Sequence, residues 1–192
     1  MTVGKGTMET YSIHTKWECA TIALRCWERE TSSGIYYCGE ILINSSFGSW
    51  ANTWTACGQP FKQFLQKAEF DYVFTKFMAN RLHRFDYEAS VASVRKMILR
   101  KRQEGYVDKD EAREAWDLLY EYEPGSGANE RDFGDAMLSI GSDMSYENPL
   151  KENFADPCAW DTRTKYDCQA VGFWGQIWPE FLAELKKETS SG

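Results

Sequence analysis

Apolar positions change their period near Pro60, and that change predicts a strand-rich first third followed by a helical remainder. Ala20, Ile22, Leu24 and Cys26 occupy alternate positions in 19–27, the spacing of a strand with one face on a core. After the turn cluster Glu30-Thr31-Ser32-Ser33-Gly34, residues 35–43 return as a second run rich in β-branched and aromatic side chains. A shorter β-prone run lies at 11–15. Together these predict an antiparallel hairpin or meander, with a helix over 18–30 as the competing reading of the same apolar run. In 44–50 small polar residues alternate with aromatics, which predicts a loop or sheet edge leading into Trp54.

Beyond Pro60, which suits a first helical turn, Phe61, Phe64, Leu65 and Ala68 and then Phe70, Val73, Phe74 and Phe77 recur at helical spacing. They predict one central helix on the sheet. Val91, Val94, Ile98 and Leu99 predict a second helix that Gly105 ends. Asp108 and Glu111 have the spacing of a capping box, opening a third helix with the apolar stripe Ala112, Ala115, Trp116 and Leu119. Gly125-Ser126-Gly127 reads as a linker. From 128 to 167, Gly134, Gly141, Pro149 and Pro157 interrupt the pattern and predict an irregular segment, with one brief helical run at 133–140. Helical spacing returns at Val171, Trp174, Ile177, Phe181 and Leu185, where Pro179 kinks the helix or starts a new one. The expected fold is α+β: an N-terminal antiparallel sheet of about three strands packed against a C-terminal set of four to five helices. It forms one domain over 1–188, with a single shared hydrophobic interior and a disordered tail at 189–192.

Composition narrows the function classes. A net charge of −7 argues against generic affinity for nucleic acid or anionic membrane. No apolar run approaches the ~20 residues that span a bilayer, and Met1-Thr2-Val3-Gly4-Lys5-Gly6 lacks an export signal, so no membrane partner and a cytoplasmic location are expected. The 8 Trp, 10 Tyr and 11 Phe read first as core filling and second as a partner surface. The 6 cysteines contain no C-x-x-C pair and the chain has only 2 histidines, so buried free thiols are expected, with no metal and no cofactor. Asp108-x-Asp110 is not a calcium loop, because the sixth position that needs glycine is Arg113.

Charge, by contrast, is segregated. Between 81 and 104 stand Arg81, Arg84, Arg95, Lys96, Arg100, Lys101 and Arg102 against Asp86, Glu88 and Glu104. Between 106 and 135 ten carboxylates face three cations, with Asp110, Glu111, Glu114, Asp117 and Glu121 on a single predicted helix. The bland reading is two solvated helix faces. Of the sharper readings, the acidic helix presents carboxylates to a basic protein, or Arg95, Lys96, Arg100, Lys101 and Arg102 on the basic helix 91–104 contact phosphate backbones.

Four elements carry a resemblance: 44–54 (Ser46, Phe47, Gly48, Trp50, Trp54), Pro60-Phe61-Lys62-Gln63-Phe64-Leu65, 70–77 (Phe70, Asp71, Tyr72, Phe77), and the ending Ala170-Val171-Gly172-Phe173-Trp174 with Ile177-Trp178-Pro179. They resemble small proteins encoded by tailed bacteriophages and prophages, over about half the chain and outside the 85–166 middle. The resemblance implies a phage origin and a life in bacterial cytoplasm, and it carries over no functional residues. The leading expectation is a non-enzymatic phage accessory protein that binds a host or phage macromolecule, a protein as partner with nucleic acid also open, and modulation of a host defence or nucleic-acid enzyme as its more specific form. Direct nucleic-acid binding through the basic helix is one alternative. A small enzyme using carboxylates and His83, with His14 the other available imidazole, is another.

Overall fold

Alternating burial closes the first third into a four-stranded antiparallel meander in the order β1-β2-β3-β4: β1 (Glu9–His14), β2 (Cys19–Thr31), β3 (Gly34–Ser45) and β4 (Gly48–Trp54). The structure is a computed structural model and describes residues 3–32, 34–122 and 127–190. The sheet has one strand more than expected, because 44–50 holds only a tight turn before Ser49 pairs with Asn44 and Trp50 with Ile43. The helical reading of 18–30 gives way to β2, which hydrogen-bonds on both sides, Ile22 lying between Tyr11 and Ile43. One row thus crosses the sheet as Tyr11, Ile22, Ile43 and Trp50, facing the core. Thr21, Leu42 and Asn44 point to the other, solvated face.

The helices follow as α1 (Phe61–Lys67), α2 (Phe70–Met78), α3 (Tyr87–Gln103), α4 (Lys109–Glu121), α5 (Glu130–Asp143), α6 (Lys151–Ala155), α7 (Cys168–Gln176) and α8 (Trp178–Ser190), more finely divided than four to five. The helix expected through 61–77 breaks at Ala68 and Glu69, both extended. Along an unbroken helix Leu65 and Val73 would lie about 80° apart. The break lets Phe61 and Leu65 and also Val73, Phe74 and Phe77 all reach the same interior. Pro179 is the second residue of α8, where its missing N–H leaves no bond unmade, so it marks a new helix rather than a kink. α8 continues into the stretch expected as a tail; residues 191–192, like Gly125 and Ser126 of the expected linker, lie outside the described residues.

The segment expected to be irregular is largely ordered. Asn129 and Asp132 form a capping box that starts α5, whose Phe133, Ala136, Met137 and Ile140 are buried. Its two glycines weaken the sequence signal by about 1 kcal/mol each. Tertiary packing outweighs that cost: the backbone of Gly141 lies so close to α6 that a Cβ there would stand 3.1 Å from the Ala155 nitrogen. After α6 come a 3-10 turn at Pro157–Ala159 and β6 (Thr164–Tyr166), which pairs with β5 (His83–Phe85).

Packing divides the chain into two compact units, Met1–Leu82 with Tyr166–Gly192, and His83–Lys165. The single interior expected from the sequence is therefore two. In the first, the sheet shares Ile22, Leu24, Ile41 and Trp54 with Leu65, Phe74, Phe77, Phe173, Trp178 and Phe181 of α1, α2, α7 and α8. In the second, Val91, Val94, Ile98, Ala115, Leu119, Phe133, Met137 and Phe154 close on one another without the sheet. Helices α3, α4 and α5 each carry an apolar stripe, and these bury one another together with Phe154 of α6.

The tightest approach in the first unit yields a test. A Cβ on Gly39 would fall 2.1 Å from the ring root of Phe61, which is 2% exposed and cannot swing away. Gly39→Ala is expected to lower the unfolding free energy by about 3 kcal/mol, read as a lower urea midpoint. Phe61→Leu in the same background should recover part of the loss.

Candidate functional site

The five cations assigned to the basic helix do not share a face. Buried Tyr87, Val91, Val94 and Ile98 hold one side of α3 against the second core. Lys96 and Arg100, with Ser93 and Met97, occupy one flank at helical spacing. Arg95, Leu99 and Arg102 occupy the other, and Arg95 lies 5.8 Å from the ring of Trp116 on α4. Lys101 sits 4.1 Å over the ring of Tyr106, and Arg100 reaches Glu104 at 3.9 Å. A run that looks uniform in sequence is thus divided among three surroundings by the 100° step of the helix.

Each flank borders a concavity. On the Lys96 side, Ser93, Lys96, Met97 and Arg100 face Trp160, Asp161 and Arg163 across a cleft of about 260 Å³. The Asp161 carboxylate accepts from Ser93 Oγ at 3.0 Å and is ion-paired with Arg163. On the Arg102 side, α3 and α4 enclose a groove of about 440 Å³ lined by Leu99, Arg102, Lys109, Arg113, Trp116 and Asp117. Lys109, Arg113, Trp116 and Tyr120 follow one another along α4 at helical spacing. Trp116 and Leu99, expected in apolar stripes, are instead 38% and 49% exposed, and Tyr120 is 77% exposed. They lie on helix flanks, beyond the arc that the core covers.

The acidic residues of α4 fall into two roles. Asp110, Glu114, Asp117 and Glu121 lie along one stripe opposite Ala112, Ala115 and Leu119. Within it Glu114 is engaged, accepting from the Ser145 N–H at 2.7 Å, from the Ser145 hydroxyl and from Asn148 Nδ2 at 2.9 Å. Burial pushes its carboxyl up, but the hydrogen bonds from Asn148 and Ser145 outweigh that and hold it below the usual range. Glu111 completes the capping box, accepting from the Asp108 N–H at 2.7 Å. Glu111 and Glu114 therefore serve the fold, while Asp110, Asp117 and Glu121 remain on the exposed surface.

In the first unit the titratable groups gather elsewhere. The Tyr11 hydroxyl lies 3.0 Å from carboxylate oxygens of both Glu9 and Glu188, and Lys62 is ion-paired with both carboxylates, tying β1, α1 and α8. Burial and the two carboxylates raise the Tyr11 phenol to about 12. Burial opposes the Lys62 charge, yet its bonds to Glu188 and Glu9 keep the ammonium well above the ordinary range. His14 ends β1 opposite Cys19 and His83 begins β5; both are exposed, and neither lines the cleft or the groove. All six cysteines are free, but only Cys38 is buried; Cys57 is half-buried, and Cys19, Cys26, Cys158 and Cys168 are exposed, contrary to the expectation of buried thiols. Cys19 and Cys168 open their elements, and Cys26 lies on β2 beyond the end of β1, beside Gly39 at the margin of the core. Burial lifts the Cys57 thiol to about 11. Among the described residues no group of three or more His, Cys, Asp or Glu is placed to hold a metal ion, and no helix is long and apolar enough to cross a membrane.

The elements that carried the phage resemblance meet inside the first unit. Trp50 packs 5.3 Å from Phe74 and 5.1 Å from Phe173, and Trp174 stacks on Trp178 at 5.1 Å. Phe47 rests on Gly172 where a Cβ would otherwise stand. Those motifs are interior, whereas the cleft and groove draw on the middle of the chain. Trp160, Asp161 and Arg163 escaped the sequence reading, since nothing local links them to α3 some sixty residues earlier. A family model described as a phage family, Phage_phiTE_072, matches residues 12–187. No curated protein and no solved structure matches the chain.

The Lys62 cluster gives a pH test. Glu9 is held below its ordinary 4.5, chiefly by the bond from Lys62, so its contribution is present above that value and is lost as pH falls through the folded-state value. Lys62, raised, contributes fully below its ordinary 10.5 and loses that contribution only at still higher pH. The stability difference between wild type and Lys62→Met should be about 1 kcal/mol or less, level through neutral pH, and should shrink as pH drops below 4.5, as measured by urea denaturation.

Proposed function

The chain belongs to this phage family, and from that premise we propose that it is an accessory protein that binds a host or phage protein across the α3–α4 face. The observation that carries the reading is the groove in which Leu99 and Trp116 are exposed beside Arg102 and Arg113, with Tyr120 one helical turn further on. Trp, Tyr and Arg are the residue types that dominate binding energy at protein interfaces, because each combines a large contact area with a polar handle. An indole and a leucine exposed together in a concavity, with a phenol one turn beyond, form an apolar patch of the kind that marks interaction sites.

Charge defines the partner. Asp110, Asp117 and Glu121 run along α4 beside the groove, and the chain as a whole carries −7. An apolar anchor entering the groove would pass Arg102, Lys109 and Arg113, while the Asp110, Asp117 and Glu121 stripe on the outer side of α4 favours a basic protein surface around that anchor. Enzymes that handle nucleic acid carry such surfaces to meet phosphate, and covering one would modulate the enzyme, whether it serves host defence or nucleic-acid metabolism. This reading needs no reaction at the site. Association should be fast at low salt and slower as salt screens the stripe.

The test is capture from bacterial host lysate with immobilised protein at physiological salt, followed by quantitative mass spectrometry. Wild type should retain a discrete basic protein, and Trp116→Ala should reduce its recovery about tenfold or more. The triple change Asp110→Asn, Asp117→Asn and Glu121→Gln should weaken capture most at low salt. Equal recovery by wild type and Trp116→Ala would refute the groove as the docking face.

A further inference from the structure

The cleft on the opposite flank of α3 has a different chemistry from the groove. Ser93, Lys96 and Arg100 project from one helix flank, and Trp160, Asp161 and Arg163 form the facing wall. That wall is fixed rather than loose. The Arg163 N–H donates to Ser90 Oγ at 2.8 Å, and Ser90 is fully buried, its hydroxyl donating in turn to the Asp86 carbonyl at 2.7 Å. The Arg163 carbonyl accepts from the Asp86 N–H at 2.7 Å. The Trp160 indole N–H is spent on the Asn153 carbonyl at 3.1 Å, and its ring stands edge-on to Phe133 at 6.0 Å.

Cations outnumber anions in this cleft. Lys96, Arg100 and Arg163 face one carboxylate, Asp161, while Glu104 reaches Arg100 only at 3.9 Å. Arg163 keeps donors beyond those Asp161 takes, since a guanidinium offers five. Such a set, converging on about 260 Å³, suits a phosphate group. Trp160 and Met97 supply an apolar wall beside it, and a base stacks on an indole at a gain of about 1–3 kcal/mol. The volume lies just under the ~300 Å³ at which pockets for larger ligands begin. The chain's −7 charge works against a long polyanion laid across the surface.

We infer that this cleft is a nucleotide site, holding the phosphate of one nucleoside monophosphate between Lys96, Arg100 and Arg163 with its base against Trp160. The site is independent of the groove and of whatever protein docks there. It assigns Lys96 and Arg100 of the basic run to a small phosphorylated ligand rather than to a nucleic-acid backbone.

Isothermal titration of the whole protein at about 25 mM salt with adenosine and uridine monophosphates, adenosine, inorganic phosphate and a ten-residue oligothymidylate decides it. The monophosphates should bind, and adenosine should not. Lys96→Gln with Arg100→Gln should weaken binding at least tenfold, and because both side chains are exposed, the unfolding midpoint should stay unchanged. Trp160→Leu should weaken the monophosphates more than inorganic phosphate, whereas Trp116→Ala should leave them unaffected. Absence of monophosphate binding, binding unchanged by the Lys96 and Arg100 substitutions, inorganic phosphate binding as tightly as the nucleotides, or binding of the oligonucleotide alone would each overturn the assignment.

Discussion

The packing of Trp50 against Phe74, Phe77 and Phe173 is the contact on which the first unit depends. It joins the last strand of the sheet to α2, which follows one short helix later, and to α7, which the chain reaches only after the whole of 83–165. Aromatic pairs in edge-to-face geometry add roughly 0.5–1.5 kcal/mol beyond the area they bury, and here they recur from Trp54 through Phe74 to Trp178. Closing so long an excursion costs entropy that grows only slowly with its length. A dense aromatic interior offsets that cost, and the motifs around Trp50, Phe74 and Trp174 supply it.

The two units use their side chains differently. The first unit spends most of its aromatic residues on its own interior, and its polar cluster around Lys62 ties β1, α1 and α8 together. The second unit builds its core from helix stripes, and stripes cover only part of each helix. The uncovered flanks of α3 line two of the surface concavities. One flank meets α4 in an aromatic groove bordered by carboxylates; the other meets the segment around Trp160 in a cationic cleft. Two separate concavities therefore share one helix because a 100° step sends neighbouring residues to different surroundings.

Several of these features were legible in the sequence. The period-two run from Ala20 to Leu24 foretold β2, Asp108 and Glu111 foretold the start of α4, and the paired motifs around Trp50 and Trp174 foretold the family. The split of the cations across α3 was also readable, since Lys96 and Arg100 differ from Arg95 and Arg102 in helical phase. The break at Ala68 was harder to see, because the apolar residues on either side each fit a helix. α5 was obscured by Gly134 and Gly141, residues whose low helix propensity is overridden by burial of Phe133 and Met137 and by the close approach of α6.

The sequence by itself determined several local choices: the strand over 35–43, where α4 begins, and the helical spacing of most core side chains. Those follow from interactions within a few residues, where spacing and capping are decisive. Tertiary structure alone decided which apolar faces share an interior, that there are two such interiors, and that Trp160 and Arg163 complete a cleft with Lys96 and Arg100. Hydrophobic burial carries no address: it requires that Val94 and Phe173 be covered, and leaves it to the packing of the whole chain to settle by what.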